Sequence, residues 1–420
     1  MPQIKPLDIE ALRKDFPALQ QQHQGNPVIF MDGPGGAQVA NVTLQAMQDY
    51  LGRYNSNLGG AFFSSQITTD LISKARYYAA TLVNAEHPEN MVFGANMTSL
   101  TFSLSRSIAR EWKVGDEVVV TRLDHYANVS SWQQAAQDKG CIVHQIDVDP
   151  ETCDLNYQQL ASAINEKTKL VAVTYASNTT GTIVDVKRVT ELAHKVGAKV
   201  FVDAVHYAPH HLIDVQELRC DFLVCSAYKF FGPHIGMMYI HPEWLHRLEP
   251  YKVEPATNIG PGRYETGTQS FEALSGMVAC IEHLAALGDA ELSLREKLEQ
   301  SFSAYSAHEQ HLSEVFLQHL NKMPEVTCYG HTNLESISQR TPTFALKIKG
   351  VDSGEMAKFL AKKNICVWSG HFYAIGLLEQ LNCSDSGGLL RVGLMHYNTE
   401  EEIAVFFDEL KKGIRDLKSQ

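Results

Sequence analysis

No apolar run in this 420-residue chain is long enough to cross a bilayer, and it contains no lysine- and arginine-rich block. The first absence argues against a membrane-spanning segment. The second, with a net charge of −12, argues against nucleic acid or an anionic membrane as partner. The eight cysteines are scattered, and none form a Cys-x-x-Cys pair. That spacing fits reduced thiols, and neither a disulfide framework nor a zinc site is expected. Met1 to Glu10 lack the apolar core of a secretory signal, so a cytoplasmic protein is expected. Walker and dinucleotide fingerprints are also missing, which leaves a nucleoside triphosphate or NAD little support. Neither repeats nor low-complexity segments are present. The hydrophobic fraction of 44% is enough for a large core in a chain of this length, and two domains are expected.

Helical and strand patterns alternate over much of the chain. Strands are expected at Met91–Phe93, Glu117–Thr121, Ile142–Ile146, Leu170–Tyr175, Val200–Asp203 and Phe222–Ser226. Helices are expected at Thr98–Trp112, where Leu100, Leu104, Ile108 and Trp112 recur every four residues, and at Val129–Lys139, Leu155–Ile164 and Val186–Val196. Gly140 and Gly197 read as helix stops. Such alternation predicts an α/β fold with a mostly parallel sheet covered on both faces. From Phe271 to Leu320 the chain reads as largely helical. Strands near Val326, at Thr343–Ile348 and at Ile365–Val367 follow, with a helix at Ser353–Lys363. A last helix opens on the capping box Thr399-Glu400-Glu401-Glu402. The expected division is an N-terminal segment, 1–30, packing with a smaller C-terminal α+β domain, 286–420, and a large domain over 31–285.

Polar residues gather where apolar strands end, which is where open α/β sheets bind ligands. Val200-Phe201-Val202 runs into Asp203, and Phe222-Leu223-Val224-Cys225 runs into Ser226, three residues before Lys229. Alone, each reads as a commonplace surface residue. Together, a carboxylate and a lysine at two such ends suggest pyridoxal 5′-phosphate (PLP). The lysine would hold the aldehyde as a Schiff base, and the carboxylate would keep the pyridine nitrogen protonated. Gly94-Ala95-Asn96-Met97-Thr98-Ser99 lies between a strand and a helix, where free N–H groups suit a phosphate, although most such turns are only caps. His125 would stack on a flat aromatic cofactor or, more plainly, bond backbone at a helix entry. Asn178 would donate to a phenolic oxygen or serve turn chemistry. Arg391 interrupts the apolar run Leu389–Leu394; it would clamp a substrate carboxylate or pair with a neighbouring acid.

With these segments placed, the chain resembles the class V aminotransferase superfamily of fold type I PLP enzymes. Within it, the chain is similar to the group II, selenocysteine lyase-like, cysteine desulfurases. Ile29-Phe30-Met31-Asp32-Gly33-Pro34-Gly35-Gly36 looks like the family's opening strand and turn. Asp124-His125-Tyr126-Ala127-Asn128 is similar to its histidine motif. The resemblance implies that His125 stacks on the pyridine ring, that Asp203 partners its nitrogen, and that His206 faces the phenolic oxygen, where a glutamine is common. It implies phosphate contacts from Ser226 and from Tyr228, which replaces a common histidine, and a Schiff base on Lys229. Arg263-Tyr264-Glu265-Thr266-Gly267-Thr268 is similar to the segment that completes the partner subunit's phosphate site, so Thr268 implies a homodimer. Arg391 matches the arginine that binds the substrate carboxylate of a small amino acid, and His371 and Tyr373 fall in a segment expected to contact substrate.

Two departures stand out. The phosphate turn of desulfurases reads Gly-Thr-Thr-Glu or Gly-Ala-Thr-Glu, whereas here it is Ala95-Asn96-Met97-Thr98. Group II desulfurases carry Gly-His-His-Cys-Ala where this chain has Gly370-His371-Phe372-Tyr373-Ala374, so Tyr373 occupies the place of the persulfide-forming cysteine. Trp368 stands where an arginine is usual. A phenol cannot form a persulfide, so the expectation is C–S or C–Se lyase chemistry by β-elimination. Aminotransferase and epimerase outcomes share the early steps. A true desulfurase would need another thiol, for which Cys383 is the candidate, and a non-catalytic PLP-fold binding protein is the reading from a different class.

Overall fold

The computed structural model describes residues 7–385 and 387–419. Residues 1–6 of the expected N-terminal segment lie outside them.

Seven strands make the main sheet: β1 (Met91–Gly94), β2 (Glu117–Thr121), β3 (Ile142–Ile146), β4 (Thr168–Thr174), β5 (Lys199–Asp203), β6 (Phe222–Ser226) and β7 (Gly236–Ile240). Their order is β1-β7-β6-β5-β4-β2-β3. The pairs from β6 to β3 are parallel. β7, which the sequence reading did not anticipate, runs antiparallel to both β6 and β1. The link from 227 to 235 is too short for a parallel crossover, so the chain must turn back on itself.

Side chains alternate across the sheet with period two. Val119, Val171, Val173, Val200 and Val202 enter one apolar cluster, while Val118, Val120, Leu170, Ala172 and Phe201 enter the cluster on the other face. Burial on both faces explains why these strands read as continuous apolar runs. The helix expected over Thr98–Trp112 spans Met97–Ile108 and tightens into a 3-10 turn at Ala109–Glu111. Such a turn takes up carbonyls that a helix end leaves without partners. Trp112 still packs in the cluster of Leu100, Leu104 and Ile108, so its spacing signalled the buried face correctly but not the helix end.

Four antiparallel strands form a second sheet in the order β8-β9-β11-β10: β8 (Val326–Tyr329), β9 (Thr343–Ile348), β10 (Trp368–Gly370) and β11 (Leu389–Gly393). Phe344 and Leu346 pack there with Phe316, Met356, Phe406 and Phe407 from three helices. The largely helical stretch from Phe271 divides into helices at Phe271–Leu284 and Leu294–Leu320. The capping box at Thr399 forms in both directions with Glu402. The strand expected at Ile365–Val367 is shorter, because Ile365 and Cys366 pair in parallel with Ile29 and Phe30 before the chain enters β10. The N-terminal segment also reaches the last helix, where Arg13 meets Glu402 at 2.8 Å.

Candidate active site

The carboxyl edge of the main sheet opens into a cavity of about 580 Å³. The sheet brings Asn96, Met97, Thr98, His125, Asn178, Asp203, His206, Ser226, Tyr228 and Lys229 to its wall. Each follows directly from its element. β5 ends on Asp203, β6 ends on Ser226, and a single 3-10 turn carries Ala227 to Lys229. Asn96 caps the helix after β1 by accepting from the Ser99 N–H at 2.9 Å, and Ser226 Oγ accepts from the Met97 N–H at 2.9 Å. The capping role that sequence reading weighed for this turn is therefore present, and the Thr98 N–H remains as the donor of that first turn.

Gly236 fixes this turn from below. A Cβ there would lie 2.6 Å from the Asn96 carbonyl carbon and 2.8 Å from its Cα. Gly236→Ala must therefore displace the backbone of the turn, at a cost of about 1–3 kcal/mol. The expected result is a weaker hold on inorganic phosphate and on the cofactor, read by equilibrium dialysis, with the fold retained.

Burial sets the electrostatics. Lys229 donates to the Pro34 carbonyl. Desolvation, with Arg391 adding to it, lowers its amine to about 7 against the pull of Asp203 and Asp32. Desolvation raises Asp203 to about 6, although Val205 N–H donates to its Oδ1 at 2.9 Å and Lys229 pulls the other way. His125 is lowered to about 4 by burial and by the charges of Lys229 and Arg391, so it is neutral at pH 7. Its Nδ1 accepts from the Ala127 N–H at 3.1 Å, which assigns the proton to Nε2. Asp124 braces this loop from a buried position, taking bonds from Thr121 and from Asn128 at 2.7 Å.

Four of the expected residues lie off this wall. Arg391, on β11, is buried, and its Nη1 donates to the Asn178 carbonyl at 2.9 Å. Its guanidinium lies 4.3 Å over the Phe372 ring, and its Nε has no partner. Among the described residues it forms no ion pair. Burial lowers it to about 9, and the Asp32 carboxylate opposes that shift. Tyr373 stacks on His125 with centroids 5.1 Å apart, and its N–H donates to His371 Nδ1 at 3.0 Å. The same loop is tied back by Asn178 Nδ2 donating to the Phe372 carbonyl at 2.9 Å. Phe372 and Tyr373 both have positive φ, 52° and 59°. Thr268 lines an adjoining cavity of about 450 Å³ that shares Ala95, Ser99 and His234 with the first.

Some wall residues were not singled out from sequence. His234 stacks on Tyr228 at 4.8 Å and 12°, and its closeness to Lys229 in the chain was the available signal. Asp32, off the wall in the opening turn, is raised by burial to about 6 while a backbone hydrogen bond, Arg391 and Lys229 oppose the shift. Cys383 is buried, bonded to Tyr329 at 3.1 Å, and absent from the cavity wall.

These residues fit PLP. The cavity is of a size for a cofactor. Asp203 offers a buried carboxylate with one oxygen free of N–H donors. A depressed lysine amine, a helix start with a spare N–H, and a neutral imidazole complete the set. One consequence is measurable without turnover. An amine at about 7 is largely deprotonated at pH 8, whereas an ordinary lysine is almost wholly charged. The rate of cofactor loading should therefore rise with pH through about 7, followed by absorbance. An inflection near 10 would show an unperturbed amine.

Residues 29–406 match the family model described as aminotransferase class-V. A probable cysteine desulfurase of Halalkalibacterium halodurans is 30% identical over 426 aligned positions, covering 98% of both chains. The aminotransferase-like protein FGM3 of Gibberella zeae is 32% identical, covering 94% of this chain and 96% of the relative. Among solved structures, the apo cysteine desulfurase of Thermococcus onnurineus NA1 superposes with a TM-score of 0.87 at 26% identity, covering 99% of this chain and all of that one.

Proposed function

The chain belongs to the class V aminotransferase family and is a PLP-dependent enzyme, and on that premise we propose that it acts on a small α-amino acid by β-elimination, as a C–S or C–Se lyase. The observation that carries substrate class is Arg391: a buried guanidinium with an open Nε and no acidic partner among the described residues. Unpaired buried charge is costly, and a substrate carboxylate would satisfy it with parallel charge-assisted bonds.

When bound, the cofactor supplies an electron sink for charge developing at the substrate Cα. Asp203 would keep the ring nitrogen protonated, and His125, Asn178 and His206 would hold the ring. Ser226, Tyr228 and the Asn96–Thr98 turn would hold the phosphate, and Thr268 would complete the phosphate site of a second copy in a homodimer. Lys229, with its amine near neutrality, moves the Cα proton in both directions. Arg391 orients the carboxylate, and Tyr373, stacked on His125, and His371 contact the substrate.

Elimination rather than persulfide transfer is favoured because no cysteine thiol stands on the cavity wall, and the thiol of Cys383 is directed to Tyr329. A second reading, amino-group transfer, draws on the fungal relative named aminotransferase-like. The test is the visible absorbance of the PLP-loaded protein on adding single amino acids. A change with some amino acids, and none with the matching amines that lack a carboxylate, is expected. No response to any amino acid would return the chain to a non-catalytic binding protein.

A further inference from the structure

The wall of the main cavity is short of donors where a phosphate would sit. A phosphate monoester is close to a dianion at neutral pH, and holding it takes several hydrogen-bond donors. The turn after β1 offers few. Its Met97 N–H already goes to Ser226 Oγ at 2.9 Å. The Ser99 N–H and hydroxyl both go to Asn96 Oδ1, at 2.9 and 3.0 Å. Among the described residues no arginine lines this wall, and its one lysine, Lys229, is reserved for the aldehyde. Two of its three histidines are engaged elsewhere. His125 spends Nδ1 on the Ala127 N–H and stacks on Tyr373. His206 Nε2 meets Thr341 Oγ1 at 3.1 Å.

His234 is the third. Strand β7 begins two residues later at Gly236, whose backbone lies so close under Asn96 that no Cβ fits between them. His234 is thereby set beside the phosphate turn. It lines both the main cavity and the adjoining one, in each case together with Ala95 and Ser99. Its ring lies nearly parallel to that of Tyr228, with centroids 4.8 Å apart and planes 12° apart. Stacking fixes the plane of the imidazole without using either ring nitrogen. The side chain is exposed, and among the described residues neither nitrogen has a hydrogen-bond partner, so both are open to a ligand.

We propose that His234 is a ligand of the cofactor phosphate, donating an imidazole N–H to it alongside the Thr98 N–H and the Ser226 hydroxyl. This rests on the placement of that phosphate at the Asn96–Thr98 turn. Because the acceptor is ionised, the bond is charge-assisted and strong for its kind. The rival role is support alone, in which His234 only holds the Tyr228 ring in place. The two roles make different demands on the side chain. A ligand needs an N–H, whereas a support needs a flat ring.

His234→Phe keeps the flat ring and removes the donor, while His234→Gln keeps a donor and removes the ring. Equilibrium dialysis of the full chain against PLP, pyridoxal and inorganic phosphate separates the two roles. His234→Phe should weaken PLP and inorganic phosphate by about tenfold or more, and leave pyridoxal, which has no phosphate, unchanged. His234→Gln should bind PLP more nearly as the parent does. Equal weakening of PLP and pyridoxal in His234→Phe, or an undiminished affinity for PLP, overturns the proposal. A variant that fails to fold is bypassed by the parent chain with 15N-labelled histidine. Inorganic phosphate should move the ring-nitrogen signals of His234, and unmoved signals overturn the proposal. A parent chain with no absorbance band on adding PLP would instead remove the cofactor reading, and its phosphate binding would still decide the part of His234.

Discussion

Lys229→Ala is expected to lower turnover by at least about 10³-fold and to abolish the pH-dependent absorbance change of the loaded protein. Two functions are lost together. The side chain that holds the aldehyde is gone, and so is the group that carries the Cα proton, which alone accounts for about 10²- to 10⁴-fold. The amine is suited to the second task because burial and Arg391 bring it to about 7. In the cofactor-free protein the same burial makes stability depend on pH. Folding favours the uncharged amine, so the penalty for burying Lys229 is present below about 7 and disappears as pH rises toward the ordinary lysine value. Lys229→Ala should therefore be at least as stable as the parent chain at pH 6, by thermal melting. Activity lost with stability kept separates a chemical role from a structural one.

Arg391→Met is the second large effect. If the guanidinium holds a carboxylate through two charge-assisted bonds, its loss costs roughly 3 kcal/mol or more, which is about 10²-fold in kcat/KM, mostly through KM. The flexible thioether would still cover Phe372, on which the guanidinium now lies. Because Arg391 has no acidic partner among the described residues, removing its charge should leave the cofactor-free protein as stable or more so. Removing it also lifts one of the two influences that depress Lys229. The pH at which cofactor loading inflects should move upward from about 7. An arginine that was only a packing element would give the reverse pattern, with a lower melting temperature and an unchanged KM.

The main sheet was legible because its strands are buried on both faces and read as apolar runs ending in polar residues. Asp203 and Ser226 close β5 and β6 as their sequence suggests. β7 escaped notice because no polar cluster follows it and its antiparallel sense depends on the shortness of one link. Trp112 shows the limit of periodicity: a residue on the buried face need not be in the helix. In the site, residues near the end of a strand could be placed from sequence. The position of Arg391 beside Asn178 could not, since it joins β11 to a turn more than two hundred residues earlier. The stacking of Tyr373 on His125 is equally non-local.

The reaction outcome is what Tyr373 leaves to measurement, and product stoichiometry decides it. PLP-loaded protein is incubated with cysteine, selenocysteine and related β-substituted amino acids, and every product is quantified. Elimination predicts keto acid and ammonia in equal amounts with the released sulfide or selenide, and no alanine. Alanine formed together with a protein-bound persulfide, lost in Cys383→Ala, would contradict it.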